Sequence, residues 1–315
     1  MELSQPHKHI IVQSEKERFL VELFDDLWKR YRGRMEYVRK YEEIIQSYGA
    51  QFINDHIAFR TIARQEPTTG ILTLSRIFEA LGYIGAVCYE FPDQHFNSIH
   101  FQHPNPQFPK LFITQLKSWE LSLPSQNIIQ SSLRKHRPFF SDKSLTQLWN
   151  LSKLESKDRE SLFTEVLRTF NELPWERPQK KDVLELNKES QFGAWVLING
   201  YDVNHFTASV DSHGVSALDD IEKVVEAMVK AGIPMKPEIE GEKGTKLRQT
   251  STQAAVIDSW VKDGERKVKI PWTYAYFEIA QRPLLPNPET GKLERFQGFL
   301  GGQASRLFDM TKLKN

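Results

Sequence analysis

Three short polar interruptions in otherwise apolar, strand-like segments constrain this chain most. They are Asp55-His56-Ile57-Ala58-Phe59-Arg60, Val203-Asn204-His205-Phe206-Thr207 and Tyr276-Phe277-Glu278-Ile279-Ala280-Gln281-Arg282. An ionisable side chain inside a buried strand is costly unless it is paired or bound to a metal. Two histidines and one glutamate so placed form the ligand set of a 2-His-1-carboxylate facial triad. Such a triad holds a divalent ion on one face and leaves the other positions open.

The rest of the chain is compatible with a large folded unit built around that site. It has 315 residues, ample for one sizeable core. Hydrophobic residues make up 39% and charged residues 26%, and the net charge is +1. That balance argues against a nucleic-acid groove or a polybasic membrane surface. No segment reads as a membrane span or a signal peptide. Cys88 is the single cysteine, which excludes a disulfide framework or cysteine-rich zinc site and fits a reducing, cytoplasmic setting. The phrase Pro6-His7-Lys8-His9 reads as a mobile arm. There is no P-loop, dinucleotide glycine fingerprint, G-x-S-x-G elbow or H-E-x-x-H helix.

Periodicity predicts an α+β fold. Amphipathic helices are expected over 16–31, from the stripe Phe19, Leu20, Leu23, Phe24, Leu27, Trp28 and Tyr31, and over 35–48. A β-α-β-β-β unit follows over 54–117: the His56 strand, a helix ending at Gly82, then strands at 84–91, 96–102 and 110–116. Residues 118–190 are polar and punctuated by Pro124, Pro138, Pro174 and Pro178, and read as a helical insertion. The β-α-β-β-β order recurs over 200–282, with the His205 strand, a helix over 217–231, and strands within 246–258 and 266–282. Two such units pair into a cupped sheet around a metal. Residues 283–315 form a C-terminal docking segment or a lid behind the glycines of Phe296-Gln297-Gly298-Phe299-Leu300-Gly301-Gly302.

Strand alternation then assigns neighbours. Arg60 shares the face of His56, about 13 Å along the strand, where a guanidinium could grip a carboxylate. Thr207 and Ser209 share the face of His205; Tyr274, Tyr276, Ala280 and Arg282 share that of Glu278. Arg248, Gln249 and Ser251 could bring a cation, an amide and a hydroxyl to a dicarboxylate, or could begin an exposed strand. A rival cluster, His95, His100 and His103, does not fall on one strand face. His100, between Ile99 and Phe101, is the member expected to reach the cavity.

The motifs Asp55-His56-Ile57-Ala58-Phe59-Arg60-Thr61, Asn204-His205-Phe206-Thr207, Leu247-Arg248-Gln249-Thr250-Ser251 and Phe277-Glu278-Ile279-Ala280-Gln281-Arg282, in that order, resemble the family once catalogued as DUF1338. Its characterised members are 2-oxoadipate dioxygenase/decarboxylases. The resemblance runs from Lys16 to Thr311, and the Glu278 and C-terminal segments also look like those of 4-hydroxyphenylpyruvate dioxygenase. It implies a vicinal-oxygen-chelate-related fold and Fe(II) held by His56, His205 and Glu278, with Zn, Mn, Ni or Co able to take the same ligands. It further implies Arg60 on a substrate carboxylate, and conversion of 2-oxoadipate and O2 to 2-hydroxyglutarate and CO2 in lysine breakdown. Two other readings stay open: a metal-dependent hydrolase or isomerase on the same scaffold, and a non-catalytic small-acid-binding paralogue.

Overall fold

The computed structural model describes residues 5–288, 291–302 and 311. Helix α1 (Glu15–Arg34) starts where the Ser14 side chain accepts the Glu17 N–H, and its apolar stripe from Phe19 to Tyr31 is buried. An extended Met35 breaks it from α2 (Glu36–Ser47). The first unit follows as β1 (Asn54–Ala63), α3 (Ile71–Ala80), β2 (Ile84–Phe91), β3 (Phe96–Gln102) and β4 (Lys110–Lys117). The middle of the chain is α4 (Leu123–Leu133), α5 (Asp142–Trp149), α6 (Ser156–Asn171), α7 (Lys180–Glu189) and α8 (Gln191–Asn199). The second unit is β5 (Val203–Ser209), α9 (Ile221–Lys230), β6 (Arg248–Ser251), β7 (Val256–Asp263), β8 (Arg266–Thr273) and β9 (Glu278–Gln281). After it come β10 (Leu284–Pro286) and β11 (Leu293–Arg295).

Seven strands form one curled half-barrel sheet in the order β2-β3-β4-β1-β5-β9-β6. In each unit the first strand pairs parallel with a later one, β1 with β4 and β5 with β9, after a helical crossover. The units join through the antiparallel pair β1–β5 at the centre of the sheet. The mixed, cupped sheet built from two related units is thus the expected architecture.

Three details depart from expectation. Where three strands are expected within 246–258 and 266–282, four form, and β7 runs on to Asp263. β7 and β8 pair with each other as a separate ribbon outside the main sheet. Lysines, aspartates and the exposed Val256 and Trp260 line one side of this ribbon, while Val261, Ile270 and Trp272 are buried on the other. Second, α8 begins where the polar insertion was expected to end, and every residue from Gln191 to Ile198 is buried. It packs on β1, and the Trp195 indole donates to the Tyr274 carbonyl at 2.5 Å. Third, the N-terminal arm is anchored. His7 is fully buried; its backbone N–H and Nδ1 meet Asp25 Oδ1 at 3.0 and 2.8 Å, and Asn54 Nδ2 lies 3.2 Å from Nε2. The arm therefore ties α1 to the start of β1. Among the described residues, no helix is long and apolar enough to cross a membrane.

Burial lowers the pKa of His7 below its ordinary 6.5 despite the Asp25 carboxylate, so the folded chain holds it neutral. The unfolded chain then binds the extra proton, and the stability His7 contributes declines as pH falls below about 6.5. His7→Ala should cost about 2–3 kcal/mol at pH 7.5, by stranding Asp25 and Asn54. The cost should shrink by pH 5.5. Denaturant titrations at both pH values check this; an equal cost at both would contradict the neutral buried imidazole.

Candidate metal centre

Strand register brings the three ligands together. His56 lies opposite Thr207 and Ala58 opposite His205 across β1–β5, and Thr207 lies opposite Glu278 across β5–β9. Paired residues share a face, so both imidazoles and the carboxylate enter the cup from three adjacent strands. The small side chains of Ala58 and Thr207 leave room between them. His56 Nε2 is 3.3 Å from Glu278 Oε2, and His205 Nε2 is 3.3 Å from Glu278 Oε1. All three ligand atoms lie within 4.8 Å of one another, and all three residues are buried.

Each imidazole is oriented from behind. His56 Nδ1 meets Asp55 Oδ2 at 2.8 Å, and His205 Nδ1 meets Asn204 Oδ1 at 3.0 Å. Acceptors on both Nδ1 atoms leave both Nε2 atoms directed at the shared centre, the arrangement typical of metal-bound histidines. Tyr276 stacks on the His205 ring at 4.7 Å, and Phe299 meets the His56 ring edge-on at 4.8 Å.

Electrostatics shows how the cluster balances its charges. Burial opposes the charged form of His56, but its bonds to Asp55 and Glu278 outweigh burial and raise its pKa. Burial pushes His205 down to about 3. Burial would raise Glu278, yet His205, His56 and the Thr207 hydroxyl hold it below the ordinary range. Burial likewise opposes the Asp55 anion, and Arg282 and Lys110 overcome it. Glu278 is thus the anionic member of the cluster, beside a neutral His205. A divalent ion satisfies all three groups at once, and the donor set and its geometry fit one.

The other expected site residues fall into two groups. Arg60 is 2% exposed; its guanidinium lies over the rings of Phe192 (4.8 Å) and Trp195 (5.3 Å) and donates to Thr311 Oγ1 at 2.7 Å. Thr207 Oγ1 sits between His56 Nε2 (3.0 Å) and Glu278 Oε2 (3.3 Å). Ser251 pairs with Glu278 and Gln249 with Ala280 across β6–β9, so both face the cup. Among the described residues, Ser251 Oγ and Gln249 Oε1 are buried without a hydrogen-bond partner, as are both ring nitrogens of His100. Burial and the nearby cations Lys110 and Arg282 push His100 down to about 4.

Arg248 does not belong with them. Alternation turns it to the opposite face, where it meets Glu222 at 2.6 Å on the α9 side. Tyr274 is also outside the cup, because Tyr274–Phe277 is not strand and alternation fails there; its hydroxyl donates to Asp202. Arg282 turns to Asp55 rather than to open cavity. His95 pairs with Glu120, and His103 packs on Tyr83 and Phe108. Of the expected C-terminal lid or docking segment, residues 289–290, 303–310 and 312–315 lie outside the described residues.

Asp55, Asn204 and Lys110 were not foreseen. A signal existed for two of them: each ligand histidine directly follows a side chain able to accept from its Nδ1. Lys110, opposite His56 in register and 3.8 Å from Asp55, carried none.

Residues 23–295 match the profile of the 2-oxoadipate dioxygenase/decarboxylase family. The chain belongs to this family. A rice protein (Oryza sativa subsp. japonica) named 2-oxoadipate dioxygenase/decarboxylase, chloroplastic/amyloplastic, is 28% identical over 313 residues, covering 93% of this chain and 79% of its own. The crystal structure of a rice hydroxyglutarate synthase in complex with 2-oxoadipate superposes with a TM-score of 0.76 at 26% identity, over 96% of this chain and 95% of that one. A glyoxalase-superfamily protein from Ralstonia eutropha shares the fold, with a TM-score of 0.77 at 19% identity over 89% of this chain and 91% of its own.

A site with three protein ligands among the described residues depends on each of them. Purified protein should hold about one divalent ion per chain, and His56→Ala, His205→Ala and Glu278→Ala should each lose it. Elemental analysis after dialysis reads this; unchanged metal in all three variants would remove the assignment.

Proposed function

We propose that this chain is an Fe(II)-dependent dioxygenase and decarboxylase of a 2-oxo dicarboxylic acid, converting 2-oxoadipate and O2 to 2-hydroxyglutarate and CO2, as a step of lysine breakdown. The observation that carries the reading is the buried His56–His205–Glu278 cluster, both Nδ1 atoms engaged behind it, with Arg60 on the same face of β1. Family membership and the 2-oxoadipate complex of the rice enzyme support the substrate class. A reducing compartment such as the cytoplasm fits the exposed thiol of Cys88.

His56, His205 and Glu278 would hold Fe(II), which when bound would supply the redox chemistry with O2; the protein supplies geometry and exclusion of water. Arg60 would hold the distal carboxylate, its guanidinium over the rings of Phe192 and Trp195, so that chain length is measured from the metal. Ser251 would offer its unpartnered hydroxyl as a donor to the 2-oxo end of the acid, and the Thr207 hydroxyl donates to the Glu278 carboxylate. Phe112, Tyr276 and Phe299 line the remaining walls and keep water out. Both oxygen atoms enter the organic acid and CO2 leaves from its first carbon, so atoms balance without a second organic co-substrate.

With Fe(II) loaded under argon and air then admitted, 2-oxoadipate should be consumed with equal O2 uptake and CO2 release. Under continued argon, or with Zn(II) in place of iron, turnover should be absent. Arg60→Ala should retain the metal yet lose at least about tenfold in kcat/KM for the dicarboxylate, some 1.4 kcal/mol, and Arg60→Lys should recover only part. Anaerobic turnover of an ester or thioester by the Zn(II) form would favour the hydrolase reading instead.

A further inference from the structure

Arg282 occupies a position that the proposed chemistry does not use. It follows β9 directly, is 3% exposed, and divides its donors between two partners. Nε and Nη2 form a fork on Asp55, at 2.8 Å to Oδ1 and 3.0 Å to Oδ2. Asp55 Oδ2 is the acceptor for His56 Nδ1. The remaining arm, Nη1, donates to the carbonyls of Phe296 (3.0 Å) and Gly298 (2.7 Å). The same guanidinium lies 5.2 Å over the ring of Phe299, which in turn stands at 90° against His56.

The 296–302 segment crosses the cup from this point. On the far side Phe299 N–H donates to the Tyr89 hydroxyl, and Gln102 donates to the Gln297 carbonyl. At the near side the backbone of Arg282 is itself pinned. Its N–H donates to Asp211 at 2.5 Å, and its carbonyl accepts from Arg295, which also pairs with Asp211. A rigidly held guanidinium thus touches both the group that orients a ligand histidine and the segment that covers it. Removing the charge alone would strand a buried carboxylate, which explains an arginine's presence; it does not explain why the third nitrogen is committed to the covering segment.

We propose that Arg282 is a positioning residue that couples the seating of the 296–302 segment over the cup to the orientation of His56 at the metal. The proposal rests on the metal-centre reading. Linkage makes the effect reciprocal: a metal that fixes His56 fixes Asp55 and Arg282, and so tightens the segment. A seated segment, conversely, holds His56 ready for metal.

Amide hydrogen exchange of peptides spanning 296–302, with and without Zn(II), tests this without turnover. Metal content is measured in the same samples. Exchange in the wild type should slow roughly fivefold or more when Zn(II) is bound. In Arg282→Gln the metal-dependent slowing should vanish and Zn(II) affinity should fall roughly tenfold. Arg282→Lys, able to meet Asp55 but not to fork, should recover part of the affinity without the slowing. Asp55→Asn touches no residue of the segment, yet should also abolish the slowing, and it serves if Arg282→Gln does not fold. Wild type that binds one Zn(II) with unchanged exchange overturns the coupling and leaves the metal centre standing. Wild type that binds no Zn(II) overturns both. Slowing that persists in Arg282→Gln and Asp55→Asn assigns the segment's order to other contacts and overturns the proposal.

Discussion

The antiparallel seam between β1 and β5 fixes the geometry on which the rest of the structure depends. It sets His56 against Thr207 and Ala58 against His205, and the parallel neighbour β9 adds Glu278. Strand side chains alternate with a period of two, so a slip of one residue along this seam would turn both imidazoles out of the cup. The seam is irregular on both flanks of the site, with register shifts between Asn54 and His56 and between Ala58 and Phe59. Such irregularities re-aim side chains beside active sites. Here they accompany an Asp55 that reaches the same imidazole as its neighbour in sequence. The cost of burying so many polar groups is carried by the apolar layers around them, with α1 and α2 among them and α8 packed on β1.

Charge in the cup points to the kind of ligand it takes. Among the described residues, Arg60, Arg282 and Lys110 stand against Asp55 and Glu278, with His205 neutral. A bound divalent ion, with both ligand histidines neutral, would leave a positive excess of three. A 2-oxo dicarboxylate would remove two of those charges and bring an acceptor oxygen within reach of the Ser251 hydroxyl. Buried polar atoms without partners are rare in folded chains and call for a reason; a polar ligand in this cup is one. His100 belongs to the same wall but is separated from His56 by the Phe299 ring, 5.0 Å from it.

Much of this was legible in the sequence because the costliest residues are the easiest to see. A histidine at the head of Ile57-Ala58-Phe59 or a glutamate between Phe277 and Ile279 is a costly residue in a strand-like segment, and three such residues in matching places point to one site. Gln249, Ser251 and Arg248 show where that reasoning stops. Alternation places the first two on one face and the third on the other, but only the pairing of Ser251 with Glu278 decides which face is inside. Helix α8 escaped for the opposite reason: it is buried all round, so Phe192, Trp195 and Val196 trace no stripe against a polar face. His7 looked like part of a polar tail because its partners, Asp25 and Asn54, are distant in sequence. The break between β8 and β9 carries no glycine or proline at its centre, and Tyr274 was misplaced with it.

The central claim is that O2 reacts with a 2-oxo acid held at the His56–His205–Glu278 centre, and that both of its atoms stay in one organic product. Mass spectrometry of the product formed from 2-oxoadipate under 18O2 measures this most directly. The account predicts 2-hydroxyglutarate carrying two labelled atoms, one in the new carboxylate and one in the hydroxyl, with unlabelled CO2. A product whose hydroxyl and carboxylate oxygens come from water would contradict it, and would show that the cup does not direct O2 onto the bound acid.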